Sequence, residues 1–112
     1  MRRWIVILAH AGCAAPPDKR VNDAIGAEVE AALDRKDYAA ALPGLEELAR
    51  RRDQWGAFVL GNYYLCAKAV KFDCARAQEL FRIAEAPQLG VPVNSRIGRE
   101  SRNGLAWVNA AC

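Results

Sequence analysis

The stretch LGNYYLCAKAVKFDCARAQELFRIAEA, residues 60–86, contains two apolar segments with a short break between them. Cys66 closes the first segment and Cys74 opens the second, where the composition changes from aromatic-rich to alanine-rich. Asp73 precedes the second segment and can cap it, because an Asp side chain accepts hydrogen bonds from the first turn of a helix. The stretch therefore predicts two helices joined by a turn, and it raises the question of what the two thiols do.

Helical patterning also extends to both sides of this stretch. Ile25, Val29 and Leu33, for example, recur at every fourth position and so share one helix face. No segment alternates like a half-buried strand. Each predicted helix follows a residue that can cap it: Asn22 or Asp23, Asp37, Asp53, Asp73, and Asn94 or Ser95. The sequence predicts an all-α domain over residues 21–112, with about five helices whose short turns make neighbours antiparallel.

The beginning of the chain has the composition of a targeting segment. A cationic start, MRR, an apolar run, WIVILA, and small residues follow in the order of a secretory signal, which we assign to residues 1–13. The end of this segment also resembles a bacterial lipobox, in which Cys13 would carry a lipid. We expect export to the periplasm or outer envelope; a buried N-terminal strand or helix is the alternative. Residues 14–20 contain two consecutive prolines and are expected to form a linker.

Composition argues against several function classes. The chain has 112 residues and a net charge of only +3, which is too weak a footprint for nucleic-acid binding. His10 is the only histidine and falls within the predicted signal, so the mature chain would lack the commonest general base and zinc ligand. No phosphate-binding loop or nucleophile elbow is present. We expect no cofactor, no metal site and no catalytic residues. The carboxylates that could pair are expected on solvated faces: Glu28, Glu30, Glu46, Glu47 and Glu79.

Residues 56–86 resemble a Sel1-like repeat, the bacterial relative of the tetratricopeptide repeat. The matching positions are Gly56, Leu60, Gly61, Tyr64, Val70, Asp73, Arg76, Ala77, Phe81 and Ala84. The preceding KDYAAALPGLEELARRRD resembles an incomplete first repeat, so the resemblance covers roughly residues 36–90. Ala67 and Ala69 depart from it by replacing two loop glycines, and Glu85 replaces an alanine. The resemblance implies antiparallel helix pairs stacked as a short α-solenoid.

The two alanines in the loop lead to a prediction about the cysteines. Glycines would let the turn adopt positive φ, which costs an alanine conformational energy, so we expect another feature to hold the turn. Antiparallel packing would bring Cys66 towards Cys74, and an oxidising compartment would favour a disulfide between them. Two separate buried thiols are the alternative; a redox pair would normally show the C-x-x-C spacing. Cys112 would pair with another chain, with Cys13, or with nothing.

The resemblance implies a non-enzymatic adaptor or scaffold of the bacterial envelope that binds a protein or peptide partner. We expect membrane attachment only through a lipid on Cys13. Asn62 and Tyr63 lie off the expected core positions of a helix that lines the concave side in this family, and they are the first candidates for partner contacts; solvent exposure without a role is the alternative. An enzyme acting on the cell wall or on β-lactams, as suggested for some cysteine-rich relatives, is one alternative; a purely structural, lipid-tethered subunit is another. Trp107, with Ile97 and Val108, is expected to make the last helix a hydrophobic cap.

Overall fold

The structure is a computed structural model that describes residues 17–86 and 95–112. These residues form five α-helices and no strand, which confirms the all-α prediction. The helices are α1 (Pro17–Asp34), α2 (Tyr38–Arg50), α3 (Gln54–Cys66), α4 (Cys74–Glu85) and α5 (Arg96–Ala111). The predicted signal with His10 and Cys13 lies outside the described residues. No helix within them is long and apolar enough to span a membrane.

Four helices begin at predicted caps. The capping side chain accepts a hydrogen bond from the backbone N–H three residues later, at distances of 2.9–3.1 Å. Such a bond satisfies one of the donors that the first helical turn leaves unpaired. The caps are Asp37 for α2, Asp53 for α3, Asp73 for α4 and Ser95 for α5.

Helix α1 begins earlier than the sequence pattern predicts. It starts at Pro17 instead of after Asn22 or Asp23, so residues 17–20, assigned to a linker above, lie in its first turn. Proline is favourable at the first helical position, because its fixed φ suits the helix and its missing N–H would have no partner there.

Consecutive helices pack against each other along the chain, and α3 also contacts α5. The main core joins helices α1 to α4 and is built mostly of small and aliphatic side chains. A smaller cluster of Ala77, Phe81 and Val108 attaches α5. Phe81 is central to it: a Cβ added at Gly61 of α3 or at Gly104 of α5 would lie 2.9 or 3.0 Å from its ring. The two glycines therefore let the backbones of α3 and α5 approach this ring closely.

Hydrogen bonds at both ends define α3 and α4 as an antiparallel pair. The buried amide of Gln54, at the start of α3, donates to the carbonyl of Ala84 near the end of α4 at 2.8 Å. At the other end, the backbone N–H of Asp73 donates to the carbonyl of Tyr64 at 3.2 Å. The amide of Gln54 is buried and would be costly to leave unpaired, so this bond favours one register of the two helices.

The turn between α3 and α4 has positive φ at the two positions where alanine replaces the expected glycine. Ala67 has φ 56° and Ala69 has φ 58°, both in the left-handed region that disfavours a side chain with a Cβ. The turn is held by backbone hydrogen bonds, including one from Lys68 N–H to the Tyr63 carbonyl at 2.9 Å, and by Val70, which packs on the main core. No disulfide spans it, because Cys66 is exposed and unbonded.

Replacing Ala67 or Ala69 by glycine is expected to stabilise the protein. Glycine removes a conformational cost of about 1–2 kcal/mol per residue. Glycine also gives the unfolded chain more conformational freedom, which lowers the stability of the folded state by about 0.4–1 kcal/mol. We expect the free energy of unfolding to rise by about 0.5–1 kcal/mol per substitution, measured by urea denaturation.

Ala106→Gly is the matched control for these two variants. Ala106 is exposed and lies within α5, where glycine is unfavourable by about 1 kcal/mol. If the two turn variants lose stability as this control does, the left-handed conformation assigned to the turn is wrong.

Candidate functional site

The disulfide in the structure joins different residues from those predicted. Cys74, the first residue of α4, is bonded to Cys112, with their Cα atoms 6.3 Å apart, inside the usual range for a disulfide. The predicted partner, Cys66, is exposed instead. The reason is tertiary: α5 returns along α4, so the end of α5 arrives beside the first residue of α4. The disulfide therefore joins the end of α5 to the start of α4, and it does not hold the α3–α4 turn.

Of the two predicted contact residues, Tyr63 belongs to the core. Its side chain is only 2% exposed, so the expectation that it lies off the core is wrong. Its ring packs edge-on against Tyr38, with centroids 6.1 Å apart, and its hydroxyl donates to the Tyr38 carbonyl at 3.0 Å. Burial raises the pKa of this hydroxyl, which favours the neutral, hydrogen-bonding form. Asn62 is half-buried, and its amide donates to the Phe58 carbonyl at 3.0 Å.

The predicted hydrophobic cap of α5 holds only in part. Val108 is buried in the cluster around Phe81. Trp107, however, is 54% exposed, and Ile97 lines a cleft and is only half-buried. Trp107 and Val108 are neighbours on a helix, where successive side chains point about 100° apart, so they do not share one buried face.

One face of α3 carries aromatic side chains that the core does not fully cover. Trp55, Phe58 and Asn62 follow at three- and four-residue intervals and so lie on one side of the helix. Trp55 and Phe58 are half-buried and pack partly on the core. Clefts open on both sides of this stripe, one towards α1 and one towards α5. We call this surface the α1/α3/α5 face.

The α3–α5 cleft is mainly apolar. It has a volume of about 500 Å³, and its uncharged lining residues are Trp55, Phe58, Ile97 and Ser95. Its charged residues, Arg96 and Glu100, pair with each other at 2.9 Å. The cleft therefore has an aromatic and aliphatic surface, and its two charged side chains neutralise each other.

The α1–α3 cleft is acidic. It encloses about 350 Å³, and its charged lining residues are the carboxylates Asp23, Glu30 and Asp53, with no cationic side chain in the lining. The indole of Trp55 forms part of this wall as well. Oδ1 of Asn22 is buried here and accepts no hydrogen bond from the described residues. The carboxylates do not converge on a point, since no group of three His, Cys, Asp or Glu side chains in the described part of the chain could hold a metal ion.

A third cleft, of about 410 Å³, lies between α2 and α4 and is lined by charges of both signs. Glu46 accepts hydrogen bonds from Tyr64 at 2.9 Å and from Arg76 at 3.0 Å, and Arg76 also binds Glu79 at 2.8 Å. Partial burial, followed by the bond to Glu46, raises the pKa of Tyr64. Glu47 pairs in turn with Arg50 and Arg51. The bond between Arg76 and Glu46 joins α4 to α2, and both Glu46 and Glu47 are paired with cations within the chain.

Comparisons with protein-family models, with curated proteins and with solved structures found no match to this chain. The resemblance to a Sel1-like repeat therefore stays a prediction, and the proposed function is based on the geometry of the clefts.

Sequence reasoning missed Trp55 and Phe58, although a signal was present. The segment of α3, QWGAFVLGNYYLC, is apolar or aromatic on every side, unlike the amphipathic α2 and α4. Such a helix is typically central in its domain. Here α3 packs against α2, α4 and α5. Trp55 and Phe58 lie on the side of α3 that these helices do not fully cover, and they line the clefts.

Proposed function

We propose that the protein is a helical interaction module of the short α-solenoid type, which binds a segment of a partner protein on its α1/α3/α5 face. The observation that carries the proposal is the aromatic stripe of α3, with Trp55 and Phe58 half-exposed between two clefts. Aromatic side chains in concave, partly apolar surfaces supply much of the energy in protein interfaces. The α2–α4 cleft is less suited, because its charges are already paired within the chain.

We further propose that the module works outside the cytoplasm, in the envelope. Two features support this location: the signal-like sequence of residues 1–13, and a disulfide of the kind that persists in oxidising compartments. Sequential packing of α1 to α5 supports the stacked arrangement that a Sel1-like protein would have.

Site-specific photocrosslinking in the cells that make the protein tests the proposed face. Replacing Arg96, an exposed residue that lines the α3–α5 cleft, with p-benzoylphenylalanine is expected to give a discrete protein adduct on irradiation. Arg82 is the matched control, since it is also an exposed arginine but lies on α4 and lines none of the three clefts. Equal adducts from both positions, or an adduct from position 82 alone, would contradict the proposed face.

A further inference from the structure

Helix α5 contributes little to the buried core of the described residues. The main core consists of residues from α1 to α4 alone. Gly98 and Ser101, two of the three buried residues of α5, have small side chains, so Val108 and the half-buried Leu105 provide its contacts with the smaller cluster. Gly98 and Gly104 also lie inside the helix, where glycine is unfavourable. The position of α5 therefore depends strongly on how its two ends are attached.

The two ends of α5 are attached in different ways. At its start, α5 follows α4 in the chain, whereas at its end the bond between Cys74 and Cys112 joins it to the first residue of α4. Beside the disulfide, the amide of Gln78 donates a hydrogen bond to Asn109. Water can compete for this bond, because it joins exposed polar groups. Cleavage of the disulfide would therefore release the last turns of α5.

The disulfide is accessible from solvent. Cys112 is exposed and Cys74 is half-buried, and both line a surface cleft of about 280 Å³. The other lining residues that the structure describes are uncharged, so the cleft does not repel a negatively charged thiolate. Accessible disulfides exchange with thiols more readily than buried ones do.

We infer that the Cys74–Cys112 disulfide is a redox switch for the α1/α3/α5 face: reduction by a dithiol releases α5 and removes one wall of the α3–α5 cleft. This inference rests on the proposed function, because it states when the proposed face can bind. Arg96, Ile97 and Glu100, which line the cleft, all belong to α5. A partner that contacts this wall binds the oxidised protein more tightly, and by linkage it also protects the disulfide from reduction.

The reduction proceeds in two exchange steps. One thiolate of the dithiol attacks Sγ of Cys112, the more exposed sulfur, forms a mixed disulfide and displaces Cys74 as a thiolate. The second thiolate of the reductant then attacks its own sulfur in the mixed disulfide and displaces Cys112. Both cysteine thiolates take up the protons that the reductant has lost. The dithiol is thereby oxidised to a disulfide, and Cys74 and Cys112 are reduced to thiols.

Amide hydrogen exchange of the full chain, with and without dithiothreitol, tests the release of α5. We expect reduction to accelerate exchange in α5 at least about tenfold and exchange in α2 and α3 less than about threefold, because these two helices lie in the main core. Cys66→Ser is the matched control: its thiol is unbonded, so this variant should respond like the parent chain. Equal protection of α5 in both forms, a uniform loss of protection in all helices, or a disulfide that resists reduction in the folded protein would overturn the switch.

Photocrosslinking at position 96 tests whether the release of α5 affects binding. Adding Cys112→Ser should lower the yield of the adduct, per amount of chain recovered, at least about fivefold, because fewer chains keep the cleft. Adding Cys66→Ser should leave the yield unchanged. An unchanged yield with Cys112→Ser would overturn the switch and leave the proposed face intact. Absence of the adduct from the chain with all its cysteines would contradict the proposed face, and hydrogen exchange would still decide whether reduction releases α5.

Discussion

Replacing Phe81 by alanine is expected to lower the free energy of unfolding by about 3–5 kcal/mol, a large part of the stability of a small domain. Phe81 is 1% exposed and is the largest side chain of the cluster that joins α5 to the other helices. Its ring contacts the backbone regions of Gly61 and Gly104 and lies 6.2 Å from the ring of Phe58. Alanine would leave a cavity where α3, α4 and α5 meet, and the rigid helix backbones could close it only partly.

Urea denaturation followed by circular dichroism measures this loss, and amide hydrogen exchange shows where it acts. We expect the amides of α5 to lose protection first, because the main core does not include that helix. Phe72→Ala is the control: this phenylalanine is 53% exposed, so its loss should cost less than about 0.5 kcal/mol.

Phe81→Leu provides a second test in case Phe81→Ala does not fold. Phe81→Leu leaves most of the volume filled and should lose clearly less stability than Phe81→Ala. If Phe81→Ala costs no more than Phe72→Ala, the packing of α5 described above is incorrect.

Replacing Cys112 by serine is expected to cost about 3–4 kcal/mol under oxidising conditions. The bond to Cys74 closes a loop of 38 residues, and a cross-link of that span restricts the unfolded chain by about this amount. Its second effect is local, because it ties the end of α5 to the start of α4. We expect the melting temperature to fall by roughly 10–20 °C and the last turn of α5 to exchange its amides faster.

Cys66→Ser distinguishes this pairing from the one that the sequence suggested. The thiol of Cys66 is exposed and unbonded, so its replacement should leave the melting temperature unchanged. A fall equal to that of Cys112→Ser would show that Cys66 is part of the stabilising bond. Peptide mapping after alkylation without reduction should recover Cys74 and Cys112 in one linked fragment.

The sequence predicted local features of this protein well. The helix caps at Asp37, Asp53 and Asp73, and the cost of the alanines at 67 and 69, follow from interactions within a few residues of the chain. Such interactions depend on residue type and spacing alone, so they can be predicted without knowing the fold.

The candidate site was predicted less well. Asn62 does lie on the stripe of α3 that borders the clefts, but Trp55 and Phe58 were missed and Tyr63 was placed on the wrong side. Because α3 is apolar all round, its periodicity cannot identify the face that its neighbours leave open. The positions of α1 and α5 decide that, and they depend on packing between segments far apart in the sequence.

What the sequence by itself determined is that the chain forms about five helices, four of them beginning at predicted caps, with a strained turn between α3 and α4, since each of these depends on neighbouring residues. Only the tertiary structure decided that Cys74 pairs with Cys112, that Tyr63 is core and that Trp55 borders two clefts. The physical reason is packing between distant segments in all three cases. Helix α5 folds back along α4 and brings Cys112 to Cys74, α3 packs on α2 so that Tyr63 lies against Tyr38, and α1 and α5 leave Trp55 between them.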